Sequence, residues 1–371
     1  NSIKILDRPL ESSSTKNIVE REFDGSTIAY IMFTSGTTGK PKGVAVTHQN
    51  LLHFIAWGEK TYQVTSNDNF ANLSPLYFDN SVFDFYVGLF NGASLTPVQG
   101  ELLTKPLDLI KFIERMECSI WFSVPSLLIY LSTMKVFGRA NLNSLRIITF
   151  GGEGFPKSEL KKIYDKYNDR IRFVNVYGPT ECTCICSSYD ISESDFENLN
   201  ELPSIGKISQ NFSYIILDDQ NKRSHIGELC LMGPNVALGY YREPERGEGV
   251  FLDYSDENHY MNKMYKTGDL VEEVNGLLHF KGRKDNQIKH MGYRIELEEV
   301  EIALSGLESI DQAAVLYVRQ KSSHGKIIAF VSSRLRIDPN KIKKGLLPLL
   351  PSYMIPNQII ILERLPKNAN G

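Results

Sequence analysis

The chain has 371 residues, which calls for about two or three domains rather than one compact body. Its 42% hydrophobic and 23% charged residues are ordinary for a globular protein, and a net charge of -3 leaves no electrostatic footprint for nucleic acid. No apolar run reaches the roughly 18 residues of a membrane span and no secretory h-region opens the chain, so the five cysteines are read as reduced thiols in a cytoplasmic protein.

In chain order, the first elements are two strand-like runs, Ile28–Phe33 and Val44–Val46, around Thr34-Ser-Gly-Thr-Thr-Gly-Lys-Pro-Lys-Gly43. Gly36, Gly39 and Gly43 allow tight turns whose N–H groups converge on an anion. Thr34, Ser35, Thr37 and Thr38 add hydroxyl donors, and Lys40 and Lys42 add positive charge. Such a loop suits phosphate; a flexible surface hairpin is the plainer alternative. It is not a Walker A loop, because Lys40 is followed by Pro41 and the chain returns to strand.

Thr47 is placed to cap a helix over 48–61. Helices over 107–117, 125–135 and 157–167 then alternate with strands over 119–123, 145–150 and 171–176, a pattern that predicts an α/β sheet with helices packed against it. Cys182, Cys184 and Cys186 alternate, which on a strand puts them on one face. A soft-metal site wants a fourth ligand, and with none nearby in sequence the expected role is that of small buried hydrophobes. From Leu202 to Phe280 short strands with frequent Gly, Pro and Asp suggest an antiparallel sheet or barrel. The charged segment Arg283–Asn286 reads as a boundary, followed by helices over 297–307 and 338–349 and strands over 313–318 and 327–333. The expected division is therefore 1–284 and 285–371, the second a small α+β unit.

Four further segments carry chemistry: Phe150-Gly-Gly-Glu153, Asn175-Val-Tyr-Gly-Pro-Thr-Glu181, Tyr265-Lys-Thr-Gly-Asp269 with Gly282-Arg283, and Lys289-His-Met-Gly-Tyr-Arg-Ile-Glu296. Each is weak alone. Together and in this order, with the Thr34–Gly43 loop, they strongly resemble the adenylate-forming superfamily. The resemblance runs from Ile28 to Gly371 and is closest to the amino-acid adenylation domains of nonribosomal peptide synthetases and the D-alanine–carrier-protein ligases. It implies the adenylate-forming enzyme fold: a large N-terminal domain of βαβ sheets plus a barrel-like sheet, hinged to a small mobile C-terminal α+β domain.

The resemblance also implies roles. Thr34, Ser35, Gly36, Thr37, Thr38, Gly39 and Lys42 would hold the β- and γ-phosphates of ATP. Tyr177 would pack on adenine, Asn175 would bond its amine, and the backbone of Gly152 and Glu153 would flank it. Thr180 would contact the α-phosphate as a catalytic group, and Glu181, the other, would help hold Mg²⁺. Asp269 and Arg283 would take the ribose hydroxyls, with a mutual surface salt bridge as the alternative. Asp285 would be the hinge, and the Lys289–Arg294 loop would line the way in for the phosphopantetheine thiol of a carrier protein.

In Ser74–Phe85, Asp79 aligns with the aspartate that pairs with a substrate α-ammonium, beside Phe78; a buried carboxylate needs such a partner. Asn80, Phe83, Ser123, Thr149, Gly151, Val176, Cys184 and Ile185 would line the rest, a wall without charge that suits a small or medium neutral side chain. Gly151, where D-alanine ligases tend to carry cysteine, is expected to leave extra room. Asp79 speaks against the main alternative, an acyl- or aryl-CoA ligase. Two departures bear on a further alternative, a catalytically inactive nucleotide-binding module. Only 33 residues precede Thr34, fewer than in the family, so the chain looks truncated there. Leu365–Gly371 resembles the C-terminal motif but stops one residue before the lysine that clamps the α-phosphate; Lys367 is not that lysine by position, and impaired adenylation is expected unless the protein continues.

Overall fold

The computed structural model describes residues 23–36, 41–256, 259–320, 323–333 and 337–366. Its centre is a seven-stranded sheet in the order Ser94–Pro97, Asn69–Asn72, Ile120–Ser123, Ile147–Gly151, Arg172–Tyr177, Ser187–Asp190, Lys207–Ile208. The first five strands run parallel and the last two antiparallel. Ile120–Ser123 and Ile147–Gly151 are buried at every position, as parallel strands covered on both faces require. The helices Pro106–Arg115, Pro125–Thr133 and Lys157–Tyr167 send Leu109, Leu128 and Ile163 into one apolar cluster with Trp121, Ile148 and Phe173. These helices match the expected ones to within a turn, and Pro at the first position starts two of them.

The helix His48–Tyr62 begins at a capping box in which Thr47 and Asn50 each satisfy the other's backbone N–H. It packs into a second cluster with Phe70, Phe83, Phe122 and Val176. Ile28–Thr34 and Lys42–Thr47 pair antiparallel with Thr34 opposite Lys42, and Gly239–Tyr240 joins their edge, so the hydroxyl-rich loop closes a hairpin.

The expected antiparallel region forms: five strands, Ser213–Leu217, Ile226–Met232, Phe251–Asp256, His259–Val274 and Leu277–Arg283, make one sheet. A two-stranded hairpin, Gln287–His290 with Tyr293–Glu296, follows the charged segment. Then come the helix Leu297–Ser305, the paired strands Gln312–Gln320 and Ser323–Ser332, the helix Pro339–Leu346, and Gln358–Leu362, which adds parallel to Ser323–Ser332. The buried residues of this last unit's cluster all lie at or beyond Ile295, and those of the other clusters at or before Leu278. No helix among the described residues is long and apolar enough to cross a membrane.

The alternating cysteines do not lie on a strand: Thr180–Cys182 is a 3-10 turn, and Thr183 and Cys184 take φ of 57° and 73°. The segment passes close against Gly178, where an added Cβ would lie 2.1 Å from the Cys184 carbonyl oxygen. Cys182 and Cys186 join one apolar cluster and Cys184 another, all buried and free. Among the described residues no group of three His, Cys, Asp or Glu is arranged to hold a metal.

Candidate functional site

Most of the singled-out residues meet at the carboxyl ends of the parallel strands, where ligands bind in open α/β sheets. Two adjoining cavities lie there, of about 480 Å³ and about 70 Å³. Gly152, Val176, Arg283, Gln287 and Lys289 border both.

The wide cavity is lined by Gly152, Glu153, Asn175 and Tyr177 from the ends of two strands, and by Arg283 and Asp285 from the boundary segment. Gly152 sits at φ 87°, a left-handed turn that lets bare backbone face the space. The Glu153 carboxylate is held by the Ser126 backbone N–H at 2.8 Å and by the Ser126 hydroxyl. Asn175 donates its amide N–H to the Ser204 carbonyl at 2.8 Å. The Tyr177 hydroxyl donates to Asp269 Oδ2 at 2.6 Å. Asp269 stands directly opposite Arg283 in the antiparallel pairing, and Arg283 donates to its Oδ1 at 2.6 Å. That pair is 2% and 9% exposed, so the alternative of a surface salt bridge does not hold. Arg283 also grips both oxygens of Asp285 at 2.6 Å, which ties the two ends of the charged segment together.

The narrow cavity is bordered by Asp79, Asn80, Phe122, Cys184, Ile185 and Thr180. The Thr180 hydroxyl donates to Asp79 Oδ2 at 2.6 Å. Burial raises the Asp79 pKa, against the pull of that bond and of Lys289. Beside it, Glu181 is fully buried between Arg294 Nη1 at 2.8 Å and the Tyr240 hydroxyl, which donates at 3.0 Å. Burial works to raise Glu181, but Arg294 and Lys42 bring it down to about 2. Lys42 lies over the Tyr240 ring at 4.9 Å, and burial lowers its pKa.

The hairpin Gln287–Glu296 therefore reaches into the site from beyond the charged segment. Lys289 approaches the Tyr177 ring to 5.4 Å, and burial lowers its pKa as well. Ser35 donates to the Arg294 carbonyl at 2.9 Å, and the Gly36 backbone N–H bonds Glu299. Thr34 Oγ1 is sealed from solvent and has no partner among the described residues. Thr37, Thr38, Gly39 and Lys40, and the terminal segment from Lys367, lie outside the described residues.

Several residues expected in the pocket stand behind its lining. Phe83 and Thr149 are fully buried, Ser123 accepts from Trp121 Nε1 at 2.7 Å, and Phe78 packs edge-on against Tyr293 at 4.9 Å. Gly151 leaves no extra room: an added Cβ would lie 2.5 Å from the Val176 carbonyl oxygen and 2.6 Å from Val176 Cγ2, so the neighbouring strand already fills that space. Phe122, Tyr240 and Gln287 went unrecognised in the sequence. Tyr240 meets Glu181 across 59 residues, whereas Gln287 bonds Arg294 and Glu296 within its own hairpin, in a segment that reads in sequence only as charged.

The family model for AMP-binding enzymes matches residues 4–241. An L-proline–[L-prolyl-carrier protein] ligase of Pseudomonas fluorescens is 35% identical over 93% of the chain and 66% of its own length. A D-alanine–D-alanyl carrier protein ligase of Bacillus mycoides is 30% identical over 95% of the chain and 70% of its own length. Among solved structures, the Vibrio cholerae adenylation domain AlmE, in complex with glycyl-adenosine-5'-phosphate, superposes with a TM-score of 0.81 at 28% identity over 94% of the chain and 66% of that chain. Holo-PA1221, a nonribosomal peptide synthetase protein with adenylation and carrier domains, gives 0.83 at 25% identity over 98% and 62%. The chain thus spans roughly two thirds of the length of these relatives.

Proposed function

The chain belongs to the AMP-binding enzyme family, and from that premise we propose that it activates an amino acid with ATP and passes it to the phosphopantetheine thiol of a carrier protein. One observation carries the choice of an α-amino acid: Asp79 and Thr180 are joined at 2.6 Å. A substrate whose ammonium and carboxylate share one carbon needs its counter-charge next to the residue that meets the α-phosphate. An acyl or aryl acid gives the buried Asp79 carboxylate no partner, and an unpaired buried charge is costly. The two carrier-protein ligases among the relatives agree with this reading.

In the first step a carboxylate oxygen attacks the α-phosphorus, the bond to pyrophosphate breaks, and aminoacyl-AMP forms. Adenine would lie on Tyr177 along Gly152–Glu153, with its ribose on Asp269 and Arg283 and its phosphates toward Thr34 and Lys42. The 480 Å³ cavity lined by Gly152, Glu153, Asn175, Tyr177 and Arg283 suits that ligand. The chain's work is to orient the groups in line and neutralise charge. Glu181 is the carboxylate suited to Mg²⁺, which often takes one or two carboxylates together with substrate phosphates; in the orientation seen here Arg294 holds it instead. When bound, the ion supplies charge neutralisation on the phosphates. In the second step the thiol loses its proton, its sulfur attacks the acyl carbon, and AMP leaves. Lys289 and Arg294 stand where the small domain would present that thiol, and Asp285 is the proposed hinge between 1–284 and 285–371. The five buried free thiols fit a reducing, cytoplasmic setting.

Pyrophosphate exchange by the full-length protein, run with each amino acid and with several simple carboxylic acids, tests the reading. At least one α-amino acid is expected to drive exchange. Asp79→Ala is expected to abolish that exchange, since breaking a buried charge pair costs about 3–5 kcal/mol, a hundredfold or more. Exchange driven by carboxylic acids alone, or left intact by Asp79→Ala, would sink it.

A further inference from the structure

The small domain already fills part of the hydroxyl-rich loop. Ser35 and Gly36 continue the strand Ile28–Thr34 into that loop, and both are engaged from beyond the charged segment. The Ser35 hydroxyl donates to the Arg294 carbonyl at 2.9 Å, and the Gly36 backbone N–H donates to the Glu299 carboxylate. Arg294 in turn reaches Glu181 at 2.8 Å. Glu299 lies in the first turn of the helix Leu297–Ser305, whose Leu297, Val300 and Leu304 are packed in the apolar cluster of the small domain. A rotation of that domain therefore carries Glu299 away from Gly36.

Main-chain N–H groups in a glycine-rich loop are donors suited to phosphate oxygens, and a carboxylate oxygen offers them the same kind of charged acceptor. The carboxylate holds its place weakly. Glu299 is 8% exposed, burial and the neighbouring Glu296 raise its pKa, and the Gly36 bond opposes them. An anion of higher charge displaces such a group readily. We propose that Glu299 stands in for phosphate on the loop, so that the small domain and the ATP polyphosphate compete for the Gly36 amide. Glu299 is then a positioning residue: once pyrophosphate has left, it re-seats the small domain in the orientation that forms the thioester. The proposal rests on the ligase reading above and adds the group that makes ATP binding and this orientation exclusive. A ligand taken up only by the displaced form loses affinity in proportion to the fraction held by Glu299. Removing Glu299 should therefore tighten polyphosphate binding, which the loss of a supporting contact would not do.

The test uses the full-length protein with Glu299→Ala, the milder Glu299→Gln, and Glu308→Gln as a control for the same charge change at an exposed place in the small domain. Inorganic tripolyphosphate, titrated calorimetrically without nucleotide or amino acid, is expected to bind Glu299→Ala several-fold, up to about tenfold, tighter than the natural protein. The KM for ATP in pyrophosphate exchange should fall by a similar factor while the rate of thioester formation on a carrier also falls. Glu299→Gln, which keeps an acceptor for Gly36, should lie in between. Unchanged or weaker tripolyphosphate binding in a folded Glu299→Ala variant overturns the proposal, as does an ATP KM that rises while thioester formation falls. An equal gain in Glu308→Gln overturns it too, by making the effect one of overall charge. No exchange with any amino acid overturns the ligase reading alone, because the tripolyphosphate titration still decides whether Glu299 competes for the loop.

Discussion

The two adjoining cavities are built by different means. The wide one, of about 480 Å³, is shaped by main chain leaving the parallel strands at Gly152 and Asn175 and by the hairpin pairing that sets Asp269 opposite Arg283. The narrow one, of about 70 Å³, is bordered by side chains from several separate segments, among them Asp79, Phe122, Thr180 and Ile185. Backbone turns recur wherever the same short motif recurs, so the first cavity suits a ligand shared by a whole family. Side-chain lining changes with any one of its members, so the second suits the part of a substrate that differs from one protein to the next.

The sharpest way to break this division is to move the wall the cavities share. Gln287 and Lys289 border both and reach them across Asp285. Proline at 285 fixes φ near −65° and restricts Lys284. Asp285→Pro is expected to leave pyrophosphate exchange largely intact while thioester formation on a carrier falls by about a hundredfold or more. Asp285→Ala should be much milder, because Arg283 keeps its bond to Asp269. Equal damage to both half-reactions would show that the joint lies elsewhere.

Within the wide cavity, Tyr177→Phe removes the hydroxyl that satisfies buried Asp269. Leaving that oxygen unpaired costs about 1–3 kcal/mol, so the KM for ATP should rise about five- to a hundredfold while the order of amino-acid preference stays the same. A change in that order would mean the two cavities are not independent. Within the narrow one, Gly151→Ala forces a methyl against the Val176 carbonyl oxygen. Overpacking of this kind costs about 1–3 kcal/mol, and a lowered thermal midpoint is the expected readout.

The smallest effect concerns pH. Glu181 falls from an ordinary 4.5 to about 2, with burial opposed by Arg294 and Lys42. A depressed carboxylate stabilises the folded state above its unfolded value, and that contribution is lost as pH drops through the folded one. The difference in thermal midpoint between the natural protein and Glu181→Gln should therefore shrink as pH falls from 4.5 toward 2. A difference that does not change over that window would mean Arg294 does not hold the carboxylate in solution.

The sequence by itself determined the helices and strands of strong local pattern, the chain segments that meet at the strand ends, and the family, while strands such as Asn69–Asn72, Ser94–Pro97 and Gln358–Leu362 were not marked. Helices such as Lys157–Tyr167 and strands such as Arg172–Tyr177 follow from local periodicity, and Tyr177, Asp269 and Arg283 stand in short motifs whose backbone geometry is local. The alternating cysteines are buried in apolar clusters as expected, but not on one strand face, because Thr183 and Cys184 take left-handed φ. Only the tertiary structure decided that Arg294 occupies Glu181 across 113 residues, that Val176 fills the space beside Gly151, and that Phe83 stands behind the lining of the narrow cavity. Those outcomes depend on how close distant side chains come to one another. Dispersion and steric repulsion act over a few tenths of an ångström, a scale that residue order alone does not encode.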